Sequence, residues 1–485
     1  MSHYLFNEFN EVSAKEWKQK IQADLEGADY NDALVWKNLE GIDVKPFYHL
    51  DEKDTNHYSI EVKNPNDWNI AQTIFINNES ISNHFILNAI ERGAECVLLK
   101  ADEEFDIPST FKDFPFEKAS IYFNFSFLSE PFIIKLIDFF SNKNSLVYYN
   151  IDPIGNLSRT GNWFRNLNED FEILRKIKNK KTKENIVAID GSLYQNSGAN
   201  IIQQLAYSLA HANEYLNYFN DSDLSDFKIT FKLSVGSNYF FEIAKIRTLR
   251  ILYEILAKEY GISETCHIIT MPSHRNKTIY DYNINMLRTT TEYMSAIIGG
   301  SNTICSDAYD SLYHKNNEFG ERIARNQLLI LREESYFKAS NNPAKGSYYL
   351  EYLTKQLSEK ALILFKNIEA SGGFLSQLKK GVIQKKIKES SSKEQDLFNS
   401  GKLILLGTNI HQNQEDQMKD NLELYPFSKS NPRKTLIEPI LERRLSEINE
   451  QERLKKENKD EKINFINYFY FDNYKLQGAN RISIY

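Results

Sequence analysis

Lys228, Thr230, Lys232 and Ser234 alternate with Ile229, Phe231, Leu233 and Val235. A period of two makes a strand with unlike faces, one apolar and one carrying two ammonium groups and two hydroxyls. If the apolar face lies under a helix, the polar face looks the other way. In a closed β/α barrel that direction is inward, where most barrels place branched aliphatic side chains. The chemistry such a face offers is ligand binding: a polar channel, or the remnant of one. Catalytic signatures are missing elsewhere. There is no Gly-x-Gly-x-x-Gly behind a strand, no Walker loop, no His-Glu-x-x-His and no Gly-x-Ser-x-Gly elbow. The nine histidines are scattered, and His211 and His267 read as packed, hydrogen-bonded core residues rather than ligands. Cys96, Cys266 and Cys305 are odd in number, widely spaced and beside apolar residues. They read as reduced core thiols without zinc spacing.

The polar strand belongs to a larger unit. Gly236 breaks the alternation, and from Phe240 apolar residues recur at helical spacing through Ile243, Ile246, Leu249, Leu252 and Leu256 to a C-cap at Gly261. Strand-like runs at Glu95 to Leu99, Ser120 to Phe125, Leu146 to Ile151, Ile186 to Asp190, Lys228 to Val235, His267 to Met271 and Thr303 to Cys305 are mostly separated by helical patterns. An eighth run lies near Ser340 to Tyr348. About eight βα units in series predict a TIM-type (β/α)8 barrel, with an open doubly wound sheet as the alternative.

Ser13 and Glu16 form a capping box that opens a helix from Ala14 to Leu25. An extended arm follows from Ala33 to Tyr48, with apolar residues it cannot bury alone, and Asn64 to Gln72 reads as a loop. After the barrel, Tyr348 to Ile368 and Gly373 to Lys388 read as amphipathic helices, Glu389 to Lys393 as a polar break, and Glu442 to Asp460 as a solvated helix. An aromatic tail closes the chain, and no domain-sized segment is expected after it. The division is therefore 1–80, helix and dimerisation arm; 81–370, barrel; 371–485, helical extension and tail. The net charge of −7 and pI near 5.9 argue against nucleic-acid and anionic-membrane partners. Without a membrane-length apolar run or a signal-peptide layout, the expected location is cytoplasmic.

Several stretches together resemble the methylmalonyl-CoA mutase family, adenosylcobalamin-dependent enzymes that rearrange acyl-CoA skeletons. LSVGSNYFFEIAKIRTLRILYEILAKEYG is similar to the family's fifth strand and helix, and HRNKTIYDYNINMLRTTTEYMSAIIGG to its N-K-T-x-Y-D segment. ERIARNQLLILREES, GSYYLEYLT, LLGTNIHQ and the arm ALVWKNLEGIDVKPFY resemble further family segments. On their own, the small residues of Arg288 to Gly300 answer to close packing of a helix on a strand. Arg322 and Arg325, with Glu333 and Glu334, answer to helix-surface charges.

The resemblance also shows departures. In the family a Tyr-His pair follows strand four and the substrate's CoA tail threads the barrel; here GSLYQNSGA places Ser192 at the Tyr and Leu193 at the His. Leu193 cannot donate a hydrogen bond. The family's carboxylate-gripping Arg falls on Ala71, so no cation stands there. Lys228 and Thr230 soften the family's R-x-S, and Lys232, on the same parity, would fill the channel. Lys228, Thr230, Lys232 and Gln195 are the remnant substrate-binding positions, and Ser192, Leu193 and Ala71 the degenerate catalytic ones. The family's cobalt-ligating D-x-H occurs nowhere in the chain. The resemblance therefore implies the small, non-catalytic subunit of a heterodimeric mutase, without metal or cobalamin of its own and without the cobalamin domain. A catalytic large subunit would hold the adenosylcobalamin. The alternatives are the substrate-binding half of a split mutase with a separate cobalamin chain, or a stand-alone acyl-CoA binding protein.

Overall fold

The structure, a computed structural model, describes residues 8–52, 62, 64–65, 67–180, 185–221, 224, 227–428 and 433–457. Eight parallel strands close into a barrel: β1 (Asn69–Ile76), β2 (Cys96–Ala101), β3 (Ser120–Phe125), β4 (Val147–Ile151), β5 (Asn185–Asp190), β6 (Ile229–Val235), β7 (His267–Pro272) and β8 (Thr303–Ser306). Closure runs through β8 against β1, with Thr303 opposite Asn69 and Cys305 opposite Ala71. The open doubly wound sheet is thereby excluded.

Alternation along each strand sends one face to the helices and one to the axis. On β6, Ile229, Phe231, Leu233 and Val235 join the main apolar core under the helices, whereas Thr230, Lys232 and Ser234 share the inward register with Ala188 and Asp190 of β5. The helix Tyr239–Glu259 after β6 packs on Tyr348–Ala370, and Arg250 within it donates to the carbonyls of Gly300 and Cys266, tying three βα units together.

Two barrel strands differ from the sequence expectation. The first is Asn69–Ile76, which begins inside the expected loop Asn64–Gln72 and before the expected domain boundary at 81. The turn formers Asn64, Pro65 and Asp67 run straight into it, so the turn signal masks the strand's start. Ser340 to Ser347 is turn, with Gly346 at φ +86°, and Tyr348 already opens a helix, so no strand forms there.

The N-terminal helix Ala14–Asp24 has the expected capping box. The arm contains a short hairpin, Trp36–Lys37 against Asp43–Val44, and lies on the barrel: Trp36 meets Phe241 edge-on at 5.9 Å, and Tyr48 stacks on Tyr349. Beyond the barrel, the helix Val382–Asn399 runs unbroken through Glu389 to Lys393, correcting the expected break. Its serines let it sit close, since a Cβ added at Gly198 would lie 2.5 Å from Ser391. Glu442 onward is not a wholly solvated segment either: Arg444, Ser446, Glu447 and Glu450 are buried, and Arg444 pairs with Glu450 at 2.6 Å. The aromatic tail lies outside the described residues.

Candidate functional site in the barrel

The interior is filled by the inward faces of the strands. Tyr122 of β3 and Tyr148 of β4 are register partners, and their rings stack at 4.3 Å, 8° from parallel. The Tyr122 hydroxyl meets His267 Nε2 at 2.9 Å and Thr303 Oγ1 at 2.8 Å, and the Tyr148 hydroxyl lies 3.4 Å from His267 Nδ1. Around this stack Ala71, Cys96, Leu98, Ile269 and Cys305 form a second apolar cluster, separate from the core under the helices. Burial pushes His267 down to about 3, with Arg250 adding to the effect, and raises Tyr148 to about 12. Burial likewise lifts the thiols of Cys96, to about 12, and Cys266, to about 11, and all three cysteines are free and buried. They are inert core thiols.

Toward the C-terminal ends of the strands the interior becomes a polar mouth, where β/α barrels place their sites. Asp190, ending β5, accepts from Lys232 Nζ at 3.1 Å, from Arg159 at 2.9 Å and from the Ser192 hydroxyl. Against the opposing effect of burial, Lys232 and Arg159 hold its carboxyl well below the usual range. Arg159 also pairs with Glu442, which belongs to the segment running along the rim: Ile440 N donates to Ser158, Arg443 N to Asn196 and Leu445 N to Arg275. Opposite, His274 Nε2 lies 3.2 Å from Asp307. Lys100, the last but one residue of β2, has no hydrogen bond or ion pair among the described residues and reaches water through the mouth. The barrel wall around it and nearby Lys232 lower its pKa.

The structure disperses the sequence-expected residues. Ser192, Leu193 and Gln195 share one short helix, Ser192–Asn196, after β5. Leu193 is 1% exposed and packs in the apolar core. Gln195 donates to Glu242 and accepts from Lys245, each at 2.9 Å, so both ends of its amide are used inside the fold. Ala71 lies fully buried in the interior cluster, Thr230 accepts from Asn185 at 2.9 Å, and Lys232 is paired to Asp190. Lys228 precedes β6 and is exposed, so it lines nothing inside the barrel. Its correction is one of length: the strand begins one residue later than the alternation suggests.

Arg325 is also corrected, being 3% exposed and bound to Gln72 of β1 while Arg322, Glu333 and Glu334 stay at the surface. The small-residue helix Ile284–Gly299 makes its close approach to another helix: a Cβ at Gly299 would lie 3.0 Å from Ile246. Lys100, Asp190, Arg159, Tyr122 and Tyr148 escape the sequence reading. Parity was the usable signal for Lys100, which follows Cys96 and Leu98 on one face of β2.

Comparison with known proteins places these features among relatives. A family model described as methylmalonyl-CoA mutase matches residues 149–469. The methylmalonyl-CoA mutase small subunit of Porphyromonas gingivalis is 31% identical over 456 residues, covering 87% of this chain and 73% of that protein. A methylmalonyl-CoA mutase of Cereibacter sphaeroides is 26% identical over 460 residues, 81% of this chain and 63% of its own length. The large subunit from Porphyromonas gingivalis is 30% identical over 250 residues, half of this chain and 35% of its own length.

Proposed function

We propose that this chain, which belongs to the methylmalonyl-CoA mutase family, is the non-catalytic small subunit of a mutase interconverting methylmalonyl-CoA and succinyl-CoA. Its partner would be a catalytic large subunit that holds adenosylcobalamin. The observation carrying this reading is the filled interior: a Tyr122–Tyr148–His267 stack on the axis, with Ala71, Cys96, Leu98, Ile269 and Cys305 packed round it. A pantetheine-length tail needs a continuous passage, and a close-packed interior offers none without moving several side chains. Leu193, buried in apolar packing, agrees with the loss of a hydrogen-bonding group beside a substrate.

Two features of the mouth support a partner as the holder of the corrin. The mouth's imidazole, His274, is engaged by Asp307, and its rim is crossed by the segment from Ile440 to Leu445. Among the described residues no three His, Cys, Asp or Glu side chains are grouped to hold a metal ion. No chemical step is assigned to this chain. No described helix is long and apolar enough to cross a membrane.

The test is isomerisation of methylmalonyl-CoA with added adenosylcobalamin, measured for this chain alone, with a short cobalamin-binding chain, and with a full-length large subunit from the same source. Turnover only with the large subunit, at a rate proportional to that subunit, is the expected result. Turnover with the short chain would replace this reading by a split mutase whose substrate half is this barrel.

A further inference from the structure

A cavity of about 400 Å³ lies on the C-terminal side of the barrel, between the arm, the loops after β5, β6 and β7, and the helix Val382–Asn399. Its size falls within the range of small-molecule sites. The apolar wall comes from Trp36, Leu39, Leu403 and Ile404, of which Trp36 is half-exposed although its edge touches Phe241. Three carboxylates face the space: Glu40 from the arm, Glu242 after β6 and Glu394 from the helix. Two already hold a cation. Glu242 pairs with Lys245, and Glu394 accepts from Arg275 at 2.6 Å. Glu40 has no cation among the described residues; its half-buried carboxylate accepts from the backbone N–H groups of Ile201 and Ile202, the latter at 3.4 Å, at the start of the helix Ile201–Phe219.

We infer that this cavity binds a small organic cation, a primary ammonium or guanidinium on a short hydrocarbon body, with Glu40 as its counter-charge and the Trp36 ring as its face. The inference stands apart from the subunit role proposed above. An indole ring and a carboxylate lining one cavity is the arrangement that recognises such cations. Glu40 is the one of the three carboxylates that no cation holds among the described residues, so an entering cation gains a charge partner that an anion or a neutral molecule does not.

Burial, and then the neighbouring Glu242 and Glu394, raise Glu40 to about 7, so near neutral pH it is part-protonated until a cation arrives. The other charges at the cavity are Lys37 of the hairpin, Lys245, Arg275 and Lys402. Lys245 and Arg275 are committed to carboxylates, and Lys37 and Lys402 are exposed at the rim. Binding should therefore strengthen as pH rises from 5.5 to 8, because only ionised Glu40 attracts the cation and the ligand remains protonated throughout.

The experiment uses the full chain and three probes, butylammonium, butylguanidinium and butyrate, followed by tryptophan fluorescence and thermal shift at pH 5.5 and 8. Saturable binding of both cations but not butyrate, tighter at pH 8, is expected. Glu40→Gln should weaken it about tenfold and remove the pH dependence, and Trp36→Phe should remove most of the fluorescence change. Glu40→Gln removes a half-buried charge while keeping an acceptor for the Ile201 and Ile202 N–H groups, and should melt no lower than the unmodified chain, so its loss of binding would not reflect unfolding. Absence of saturable cation binding, equal binding of butyrate, or unchanged affinity in a folded Glu40→Gln protein would each overturn the inference.

Discussion

Acid should loosen this barrel from the inside, through His267. Its imidazole sits on the axis between the Tyr122 and Tyr148 hydroxyls, and burial with nearby Arg250 depresses it from 6.5 to about 3. In the unfolded chain it titrates at its ordinary value. Between those two pH values the unfolded state binds more protons, so the stabilising contribution is fully present above about pH 6.5 and falls as pH drops toward 3. The full gap corresponds to roughly 5 kcal/mol. Part of the ring is reached by water at the barrel floor, so the figure to expect is about half that, ~2–3 kcal/mol. The comparison is between the unmodified chain and His267→Gln, which keeps polar atoms near both tyrosines but does not titrate. Urea midpoints at pH 7.5, 6.5, 5.5 and 4.5, followed by tryptophan fluorescence, cancel the carboxylates common to both. The unmodified chain should lose more stability than the variant as pH falls, with the difference opening below about 6.5. Parallel losses in the two proteins would refute the reasoning.

Four further perturbations follow from the same geometry. Leu193→His puts a polar ring into an apolar core and should cost about 2–4 kcal/mol without creating CoA affinity; measurable CoA binding by calorimetry would contradict the filled interior. Lys277→Met strands Glu292, 1% exposed and 2.7 Å from the lysine, and should cost about 3–5 kcal/mol, whereas pairing it with Glu292→Leu should recover most of that in denaturant melts. Gly300→Ala forces a side chain onto a φ of +91° and within 2.4 Å of Asn64 Oδ1, so its melting temperature should fall by several degrees. Deleting residues 33–48 should weaken association with a large subunit more than it lowers the solubility of the isolated chain; an unchanged dissociation constant in sedimentation would place the interface elsewhere.

Periodicity carried most of the fold. Seven of the barrel strands lie where short runs bounded by turns place them, some alternating, as in β6, and some continuously apolar, as in β5. Asn69–Ile76 is illegible for a local reason: its inward positions Ala71, Thr73 and Phe75 and its outward ones, Gln72 among isoleucines, each mix polar and apolar residues, and turn-forming residues abut its start. The sequence pattern stops the helix Val382–Asn399 short because serine runs favour loops in isolation. In the fold Arg275 Nη2 donates to Ser391 at 3.0 Å, and the small side chains let the helix close against Gly198. Tertiary packing overrode propensity, as it does wherever a small side chain is worth more for the approach it permits than for its own backbone preference.

The site was less legible because its parts meet only through barrel closure. Tyr122 and His267 stand 145 positions apart and Tyr122 and Thr303 181 apart; register around the barrel, fixed by shear, decides that they share a level. Parity alone says that Lys232 faces inward, but not that Asp190 stands beside it on the adjoining strand, nor that Arg159 and Glu442 complete the chain of charge. That distinction decides what the lysine does. An unpaired inward ammonium would be a ligand-seeking group, whereas one held at 3.1 Å by a carboxylate that also holds Arg159 and Ser192 is a strut of the mouth. The inward cation left without such a partner among the described residues is Lys100, one level from the exposed ring of Phe75 on β1. If any ligand affinity survives on the barrel axis, Lys100→Met should abolish it while leaving the Lys232–Asp190–Arg159 network and the urea midpoint unchanged within about 0.5 kcal/mol. Loss of stability instead would mean that this lysine, too, serves the fold.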